Sequence, residues 1–225
     1  MPIGNGLLHE QPIPIPGPDT PEKALIFHAP GRSMDPSDQE GGDMRFNATS
    51  VAGAAQPQRL HGLAADIDRA VAAASAAQTP AAVAGVLAAY REPDELLTPA
   101  QQAGSAEHYA RHLLYAHPLG RFSIVALAWQ PGQCTPVHGH FTWCAYAVLR
   151  GAMQEEQYDW DAAGQRALAT RVVARAPGDC VASLAGLDAI HRLRNVGAGT
   201  AISLHVYGVE GERVATHVNR IARAA

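Results

Sequence analysis

The sequence of 225 residues is poor in cysteine, in lysine and in long apolar runs, and each shortage argues against a class of protein. The three cysteines, Cys134, Cys144 and Cys180, are an odd number without a Cys-x-x-Cys spacing. This argues against a disulfide framework or a zinc ribbon and predicts a cytoplasmic location. Lys23 is the only lysine, the net charge is −4 and no basic tract stands out, so neither nucleic acid nor an anionic membrane is an expected partner. No run of about 18 apolar residues exists, and the N-terminus lacks a basic region followed by an apolar stretch, so we predict neither a membrane span nor a secretory signal.

Histidine, by contrast, is well represented, with 11 residues against 3 cysteines. Hydrophobic residues make up 47% and charged residues 17%, the balance of an ordinary globular protein rather than of a disordered or fibrous one. A chain of this length suffices for one good core, or for one domain with appendages. We therefore expect one globular domain whose candidate metal ligands are histidines.

The first 57 residues differ in composition from the rest. Residues 11–18 are rich in proline, and residues 31–43 are polar and rich in glycine without periodicity. Such a segment cannot bury enough apolar surface to offset its chain entropy, so residues 1–57 are predicted to be a disordered tail. Two alternatives stay open: the Pro-x-Pro run could dock onto an aromatic groove of a partner protein, or translation could start at Met34 or Met44.

Residues 58–225 are predicted to form a single domain, with a helical part at 58–115 and a β-barrel part at 116–225. Leu60, Leu63 and Ile67 recur at helical spacing, and Thr79-Pro80 is typical of a helix start. Beyond residue 121, short apolar segments alternate with glycine turns, which is typical of a sandwich or barrel. The strands are predicted at 122–129, 144–149, 153–158, 169–175, 188–195 and 201–206. The fold class is therefore mainly β, preceded by a small helical subdomain.

The segment His138-Gly139-His140 is the first candidate metal site. Residues two apart on a strand point to the same face, so the two imidazoles are expected to project together. A third histidine from a distant strand would complete a set of three ligands that leaves coordination positions open for substrate and oxygen. Imidazole also suits Zn²⁺ and Ni²⁺, so the residue types alone leave the metal open.

The spacing around these histidines matches the first cupin motif. The order is Gly132, five residues, the His-Gly-His segment, three residues, Cys144, six residues and Gly151. Cys144 is at the position where the motif usually has a glutamate ligand. Downstream, His191 begins the His-x-x-x-Asn ending of the second cupin motif and follows a Pro-Gly-Asp turn at 177–179. The segment 202–207 adds Ser-x-His-x-Tyr, with its three polar side chains on one strand face.

Together these residues resemble one branch of the cupins, the thiol dioxygenases, which comprise cysteine dioxygenase and 3-mercaptopropionate dioxygenase, and above all its bacterial members. The resemblance covers about 107–208 and implies the cupin double-stranded β-helix, a jelly-roll barrel. It also implies one Fe(II) per chain, held by three histidines without a carboxylate. Carried over position by position, the ligands are His138, His140 and His191, and the catalytic residues are Ser203, His205 and Tyr207. An ordinary buried polar network is the alternative interpretation of the last three.

The resemblance implies roles for two further residues. Cys144 occupies the place where animal members carry a cysteine joined to the active-site tyrosine, so a Cys144–Tyr207 thioether crosslink is possible. A small buried thiol that only fills space is the alternative. Arg111 occupies a position where the family has Arg or Gln, and its guanidinium would bind the substrate carboxylate. A surface arginine at the end of a helix is the alternative for Arg111.

The expected function is that of a non-haem Fe(II) thiol dioxygenase. It would add both atoms of O2 to the sulfur of L-cysteine and give cysteine sulfinate. The alternatives are dioxygenation of 3-mercaptopropionate or another small thiol, and a cupin that binds metal without oxidative chemistry. The expected partners are a small thiol and O2, with no nucleic acid and no membrane, and the chain is expected to be a monomer or a weak homo-oligomer.

Overall fold

The computed structural model describes residues 58–225, and the predictions made for 1–57 lie outside these residues. Helices occupy the first part of the described chain. Leu60, Leu63 and Ile67 form the buried stripe of the first helix, as their spacing predicts. Thr98 caps the third helix with its side chain and forms a capping box with Gln101. The helices are α1 (Gln58–Ala73), α2 (Thr79–Leu87) and α3 (Pro99–Gln102), and two 3-10 turns lie at Pro93–Glu95 and Gly211–Arg213.

Ten strands follow the helices and form two five-stranded antiparallel sheets. The first sheet has the order β1-β2-β9-β4-β7, and the second has the order β10-β3-β8-β5-β6. The prediction of a mainly β fold behind a small helical part is confirmed. The strands are β1 (Ala110–Ala116), β2 (Ser123–Trp129), β3 (His138–His140), β4 (Cys144–Arg150), β5 (Met153–Asp161), β6 (Arg166–Arg175), β7 (Cys180–Ser183), β8 (Gly186–Asn195), β9 (Ala201–Tyr207) and β10 (Asn219–Ile221).

The central strands β2 and β9 of the first sheet are buried on both faces. On β9, Ile202, Leu204 and Val206 pack into a core that the helices close. The alternate residues of β9 face the other way, where Tyr207 shares a second core with Met153 of the opposite sheet. Because the side chains of a strand alternate between faces, β9 separates an apolar helix–sheet core from the interior between the two sheets. The functional side chains of β9 lie on that interior face.

The helical part ends earlier than the sequence predicts. The sequence predicts a helical part up to residue 115, but α3 ends at Gln102 and Ala110–Ala116 form strand β1. A register shift between Leu113 and Tyr115 interrupts the pairing of β1 with β2. The irregularity breaks the two-residue alternation of buried side chains, so that the apolar positions of this strand imitate a helical period. The short strands β7 and β10 were also not predicted.

Membrane insertion was not expected from the sequence. Within residues 58–225, no helix combines the length and the hydropathy that a membrane crossing requires.

Candidate metal centre

Three histidines from two neighbouring strands converge in the interior between the sheets. His138 and His140 come from β3, and His191 comes from β8, where it pairs directly with His138. One ligand nitrogen from each ring lies within 4.8 Å of the others, and all three residues are buried. The structure thus brings together the three predicted ligands, including the one that is about fifty residues away along the chain.

Glycine at position 139 allows β3 to approach β8 this closely. A Cβ atom at Gly139 would overlap the backbone carbonyl oxygen of Gly186. The pairing of β3 with β8 also shifts its register between His138 and His140, so that His140 lies opposite Gly186. A larger residue between the two histidines would therefore push the strands apart and displace the ligands.

Each imidazole is held from outside through its Nδ1 atom. A carbonyl oxygen and an ionised carboxylate can only accept hydrogen bonds, so two of these nitrogens carry the proton and donate. In His138 and His191 the Nε2 atom is then available to a metal, and in His140 it is available when Nδ1 donates to the Ser183 hydroxyl. The contacts are His138 Nδ1 to the Pro136 carbonyl oxygen at 2.9 Å, His191 Nδ1 to Glu155 Oε1 at 2.7 Å, and His140 Nδ1 with Ser183 Oγ at 3.4 Å.

The imidazoles of this cluster are suited to bind as neutral donors. Burial lowers the pKa of His138 and of His140 well below the usual value, and the charge of neighbouring imidazoles lowers both further. A neutral imidazole offers a lone pair to a cation, whereas a protonated imidazole does not. Three buried imidazole donors fit a transition metal such as iron, zinc or nickel. The cluster is therefore a candidate metal centre.

Glu155 supports one of these ligands. Its carboxylate is buried, receives the His191 hydrogen bond on Oε1 and forms an ion pair with Arg175 on Oε2. Burial raises the pKa of the Glu155 carboxyl, but the hydrogen bonds from His191 and Arg175 and the charge of the Arg175 guanidinium outweigh burial and hold that pKa at about 2. Glu155 is therefore a fixed anion beside the centre.

A chain of hydrogen bonds on the first sheet leads to Tyr207. Trp129 Nε1 donates to Ser203 Oγ at 2.9 Å, Ser203 Oγ lies 2.8 Å from His205 Nε2, and His205 Nδ1 lies 3.2 Å from the Tyr207 hydroxyl oxygen. Trp129 is on β2 and the other three are on β9, two residues apart, so strand alternation places them on one face. The predicted Ser203, His205 and Tyr207 set is therefore one connected network.

Burial keeps this network neutral. It lowers the pKa of His205 well below the usual value and raises the pKa of Tyr207 well above the usual value. If Ser203 donates to His205 Nε2, the proton of the neutral ring is on Nδ1 and is donated to the Tyr207 oxygen. The phenolic hydrogen is then free to point into the cavity beside the three histidines. The network thus supplies an oriented neutral donor.

Arg111 reaches the same cavity from strand β1. It is 4% exposed, so the alternative of a surface arginine at a helix end is wrong. Tyr109 precedes it by two residues, lines the same cavity and stacks on Trp129 at a centroid distance of 4.5 Å. A buried guanidinium in this cavity provides a positive end for a small anionic ligand. The cavity is lined by Tyr109, Arg111, Leu127, Thr135, His138, His140, His191, Leu193, His205, Tyr207 and Asn219.

Cys144 lies beside Tyr207. The two residues are direct partners in the antiparallel pairing of β4 with β9, and both are buried in the core between the sheets. Opposite residues in such a pair have Cβ atoms about 4.5–5.5 Å apart. Burial, with a smaller contribution from the charge of Glu155, raises the pKa of the Cys144 thiol, so the thiol is neutral at rest. The placement is compatible with the predicted crosslink and with a packing role.

Three residues at or beside the site are not predicted from the sequence: Glu155, Tyr146 and Asn219. Tyr146 stacks on His205 with ring centroids 5.2 Å apart, and Asn219 lines the cavity from β10. Of these, only Glu155 could be recognised from the strand pattern. It is a charged residue two positions after Met153, and therefore lies on the same buried face of β5. Tyr146 and Asn219 meet the site through strand pairings that the sequence pattern does not reveal.

A barrel of two antiparallel sheets with three interior histidines defines a cupin of the double-stranded β-helix type with a candidate metal centre. The particular family follows from the comparison with family models. The sequence model of the family described as cysteine dioxygenase type I matches residues 54–215. The chain belongs to this family, which indicates a thiol dioxygenase and agrees with the resemblance found in the sequence.

Solved structures similar to this one include the following three proteins. A protein from Thermus thermophilus is 22% identical, with 50% of this chain and 96% of that chain covered and a TM-score of 0.39. A Klebsiella pneumoniae protein with a double-stranded beta-helix domain is 19% identical, with 52% and 82% covered and a TM-score of 0.40. A cupin 2 domain-containing protein from Halorhodospira halophila is 21% identical, with 60% and 81% covered and a TM-score of 0.38.

Proposed function

We propose that the protein is a non-haem Fe(II) thiol dioxygenase that converts L-cysteine to cysteine sulfinate. The observation that carries this proposal is the cavity that three buried imidazoles, a buried guanidinium and an oriented phenol line together. The imidazoles provide a site for a divalent metal, while the guanidinium and the phenol suit a small molecule with a negative end. Membership of the cysteine dioxygenase type I family supports the reaction class.

His138, His140 and His191 would hold the metal, one ion per chain. Bound there, Fe(II) would supply the redox chemistry that joins O2 to a thiol sulfur. A set of neutral ligands leaves the charge of the cation uncompensated, which favours an anionic thiolate as substrate. The three histidines therefore suit a substrate that brings its own sulfur anion.

Arg111 and Tyr207 would position that substrate. The guanidinium would form a bidentate, charge-assisted pair with the carboxylate, which fixes the molecule at the end opposite its thiol. The Tyr207 hydroxyl would donate a hydrogen bond to the carboxylate or to the reacting oxygen, with its direction set by His205. Leu127 and Leu193 line the cavity between these polar groups and reduce the access of water. Holding the reactants in one orientation accounts for a large part of such catalysis.

The direct test is O2 consumption by protein reconstituted with Fe(II). Cysteine, 3-mercaptopropionate and cysteamine are supplied in parallel, and the sulfinate product is identified by mass spectrometry. We expect uptake of one O2 per thiol and the highest kcat/KM with cysteine. Higher kcat/KM with 3-mercaptopropionate would support the runner-up substrate, whose carboxylate would also pair with Arg111. No uptake by iron-replete protein with any thiol would contradict the dioxygenase and favour a metal-binding cupin without oxidative chemistry.

Replacing Arg111 by glutamine is expected to shift the preference away from cysteine. A charge-assisted hydrogen bond contributes about 1.5–3 kcal/mol, so kcat/KM for cysteine should fall at least about tenfold. The ratio of this kcat/KM to the one for 3-mercaptopropionate should also fall, because the family resemblance associates arginine at this position with cysteine and glutamine with 3-mercaptopropionate. The measurement is the kcat/KM of both thiols for Arg111→Gln and for Arg171→Gln. Arg171 is exposed on β6 and pairs with Gln157, so its replacement should leave the ratio unchanged. An unchanged ratio in Arg111→Gln would refute the assignment.

A thioether between Cys144 and Tyr207 is expected to form during turnover. The new bond joins sulfur to a ring carbon, with loss of the thiol hydrogen and one ring hydrogen, and O2 accepts the two electrons. After incubation with Fe(II), cysteine and O2, a digest should contain a linked peptide lighter by two hydrogens than the sum of its parts. The Cys144→Ser variant should lack this peptide. Separate, unlinked peptides after many turnovers would leave Cys144 with a packing role.

The binding partners, the oligomeric state and the location in the cell are also proposed from the sequence. A small thiol and O2 are the proposed partners, without nucleic acid or membrane, and a monomer or weak homo-oligomer is the proposed state. The cytoplasmic location stays a prediction from cysteine usage.

A further inference from the structure

Each of the three ligand histidines contacts another group through its Nδ1 atom, and these groups differ in charge. His138 donates to a neutral backbone carbonyl, and His140 lies beside the neutral hydroxyl of Ser183. His191 alone among them contacts an anion, the carboxylate of Glu155, and its contact is the shortest of the three at 2.7 Å. The candidate centre is therefore asymmetric in a way that three imidazoles alone do not require.

The carboxylate of Glu155 is held firmly in place. The residue is 2% exposed, and its two oxygens contact different partners. Arg175 donates from Nε and Nη2 to Oε2 at 3.0 and 2.5 Å, and Gln157 donates to the same oxygen at 3.2 Å. Oε1 is directed to His191. Because these donors are on β5 and on the adjacent strand β6, the second sheet itself sets the position of the carboxylate.

Stability does not explain this arrangement well. A buried ion pair must offset the loss of hydration of both groups, so replacing such a pair by apolar residues is often neutral or favourable. Glu156, the next residue, forms a similar pair with Arg192 nearer the surface, with side chains 18% and 20% exposed and without a hydrogen bond to the three histidines. The deeper pair differs from this one in its hydrogen bond to a ligand histidine. Such an outer carboxylate orients the imidazole and raises its basicity as a metal ligand.

We infer that Glu155 is a positioning residue of the metal centre, which orients His191 and makes it the strongest of the three donors. The inference rests on the proposed metal site, and it assigns to the chain a carboxylate that acts on the metal through a histidine instead of binding it. Two consequences follow from its negative charge. Compared with the same three imidazoles without the carboxylate, the centre should bind divalent cations more tightly. It should also favour Fe(III) over Fe(II) more strongly.

The test compares Glu155→Gln with Glu156→Gln. Glutamine has nearly the same size as glutamate and its amide oxygen can still accept the His191 hydrogen bond, so the first variant removes mainly the charge. Co²⁺ titration, which needs no turnover, should show a dissociation constant about 10–100-fold higher for Glu155→Gln. In the iron-loaded protein, a tenfold smaller preference for Fe(III) over Fe(II) would raise the one-electron potential by about 59 mV. Glu156→Gln should match the wild type in both measurements.

The outcomes separate this inference from the proposed function. The wild type and Glu155→Gln could bind Co²⁺ equally well and have the same potential. This result would overturn the role of Glu155 and leave the metal site intact. Wild-type protein that fails to bind Co²⁺ and Fe(II) would overturn the metal site and this role together. If Glu155→Gln does not fold because Arg175 loses its partner, the double variant Glu155→Gln, Arg175→Gln removes both charges. The same loss of Co²⁺ affinity and rise in potential are then expected, and their absence would equally contradict the inference.

Discussion

Replacing His138 by alanine should abolish both metal binding and O2 consumption. The ring is one of three nitrogen donors, and two imidazoles on separate strands hold a cation far less strongly than three. Removing an outer partner of a ligand histidine typically costs about 10–100-fold in metal affinity, so removing the ligand itself should cost more than about 100-fold. We expect the iron content to fall from about one ion per chain to a small fraction, with a parallel loss of kcat.

His61 provides the matched control for this variant. It is an exposed histidine on α1, outside the barrel interior, so His61→Ala should keep the wild-type iron content and rate. The measurements are iron per chain by elemental analysis after reconstitution and dialysis, Co²⁺ titration, and O2 consumption with cysteine. If His138→Ala keeps one tightly bound metal ion per chain and the wild-type rate, the three-histidine centre is not the site of the reaction.

The interior positions of β9 show how much a strand pattern can predict. Ser203, His205 and Tyr207 are separated by one residue each, and alternation alone places them on a common face. The structure adds Trp129, which reaches Ser203 from β2 and begins the hydrogen-bond chain. That contact joins strands more than seventy residues apart, and no local pattern in the sequence specifies it. Alternation therefore predicts the face but not the partner across the sheet.

The misassigned strand β1 has a different physical cause. A register shift between Leu113 and Tyr115 breaks the alternation that identifies a strand, and the remaining apolar positions fit a helix as well. Pairing with β2 decides the conformation, and that pairing is a tertiary contact. The consequence reaches the site, because Arg111 becomes a buried cavity residue on a strand.

Glu155 illustrates the limit of a motif. The cupin spacing identifies where a carboxylate ligand usually lies, and Cys144 occupies that position here. The carboxylate that the structure brings to the centre comes from the next strand along the chain and contacts a histidine. A motif describes which residues bind the metal. Which residue forms a hydrogen bond to a ligand depends on the register between β5 and β8. In this register Gln157 pairs with His191, and Glu155, two residues before Gln157, reaches the His191 ring.

Replacing Tyr207 by phenylalanine should lower kcat by about 10²–10³-fold while the iron content stays unchanged. The variant removes one hydroxyl from the end of the hydrogen-bond chain and keeps the ring that packs in the interior. Losses of that size are typical when one oriented donor to a developing negative charge is removed from a site that excludes water. Tyr207 is not one of the three converging ligands, so Co²⁺ affinity should match the wild type.

The control for this variant is Tyr158→Phe. Tyr158 also donates its hydroxyl to a side chain, Glu156, at 2.7 Å, but it does not line the cavity of the three histidines. Its replacement should leave kcat near the wild-type value. Ser203→Ala, which breaks the chain before His205, should lower kcat by less than Tyr207→Phe, because the phenol remains but loses part of its orientation. A Tyr207→Phe variant that retains most of the wild-type kcat at full iron content would show that the phenol takes no part in the rate-limiting step, and the hydrogen-bond chain would then serve only to hold β2 and β9 together.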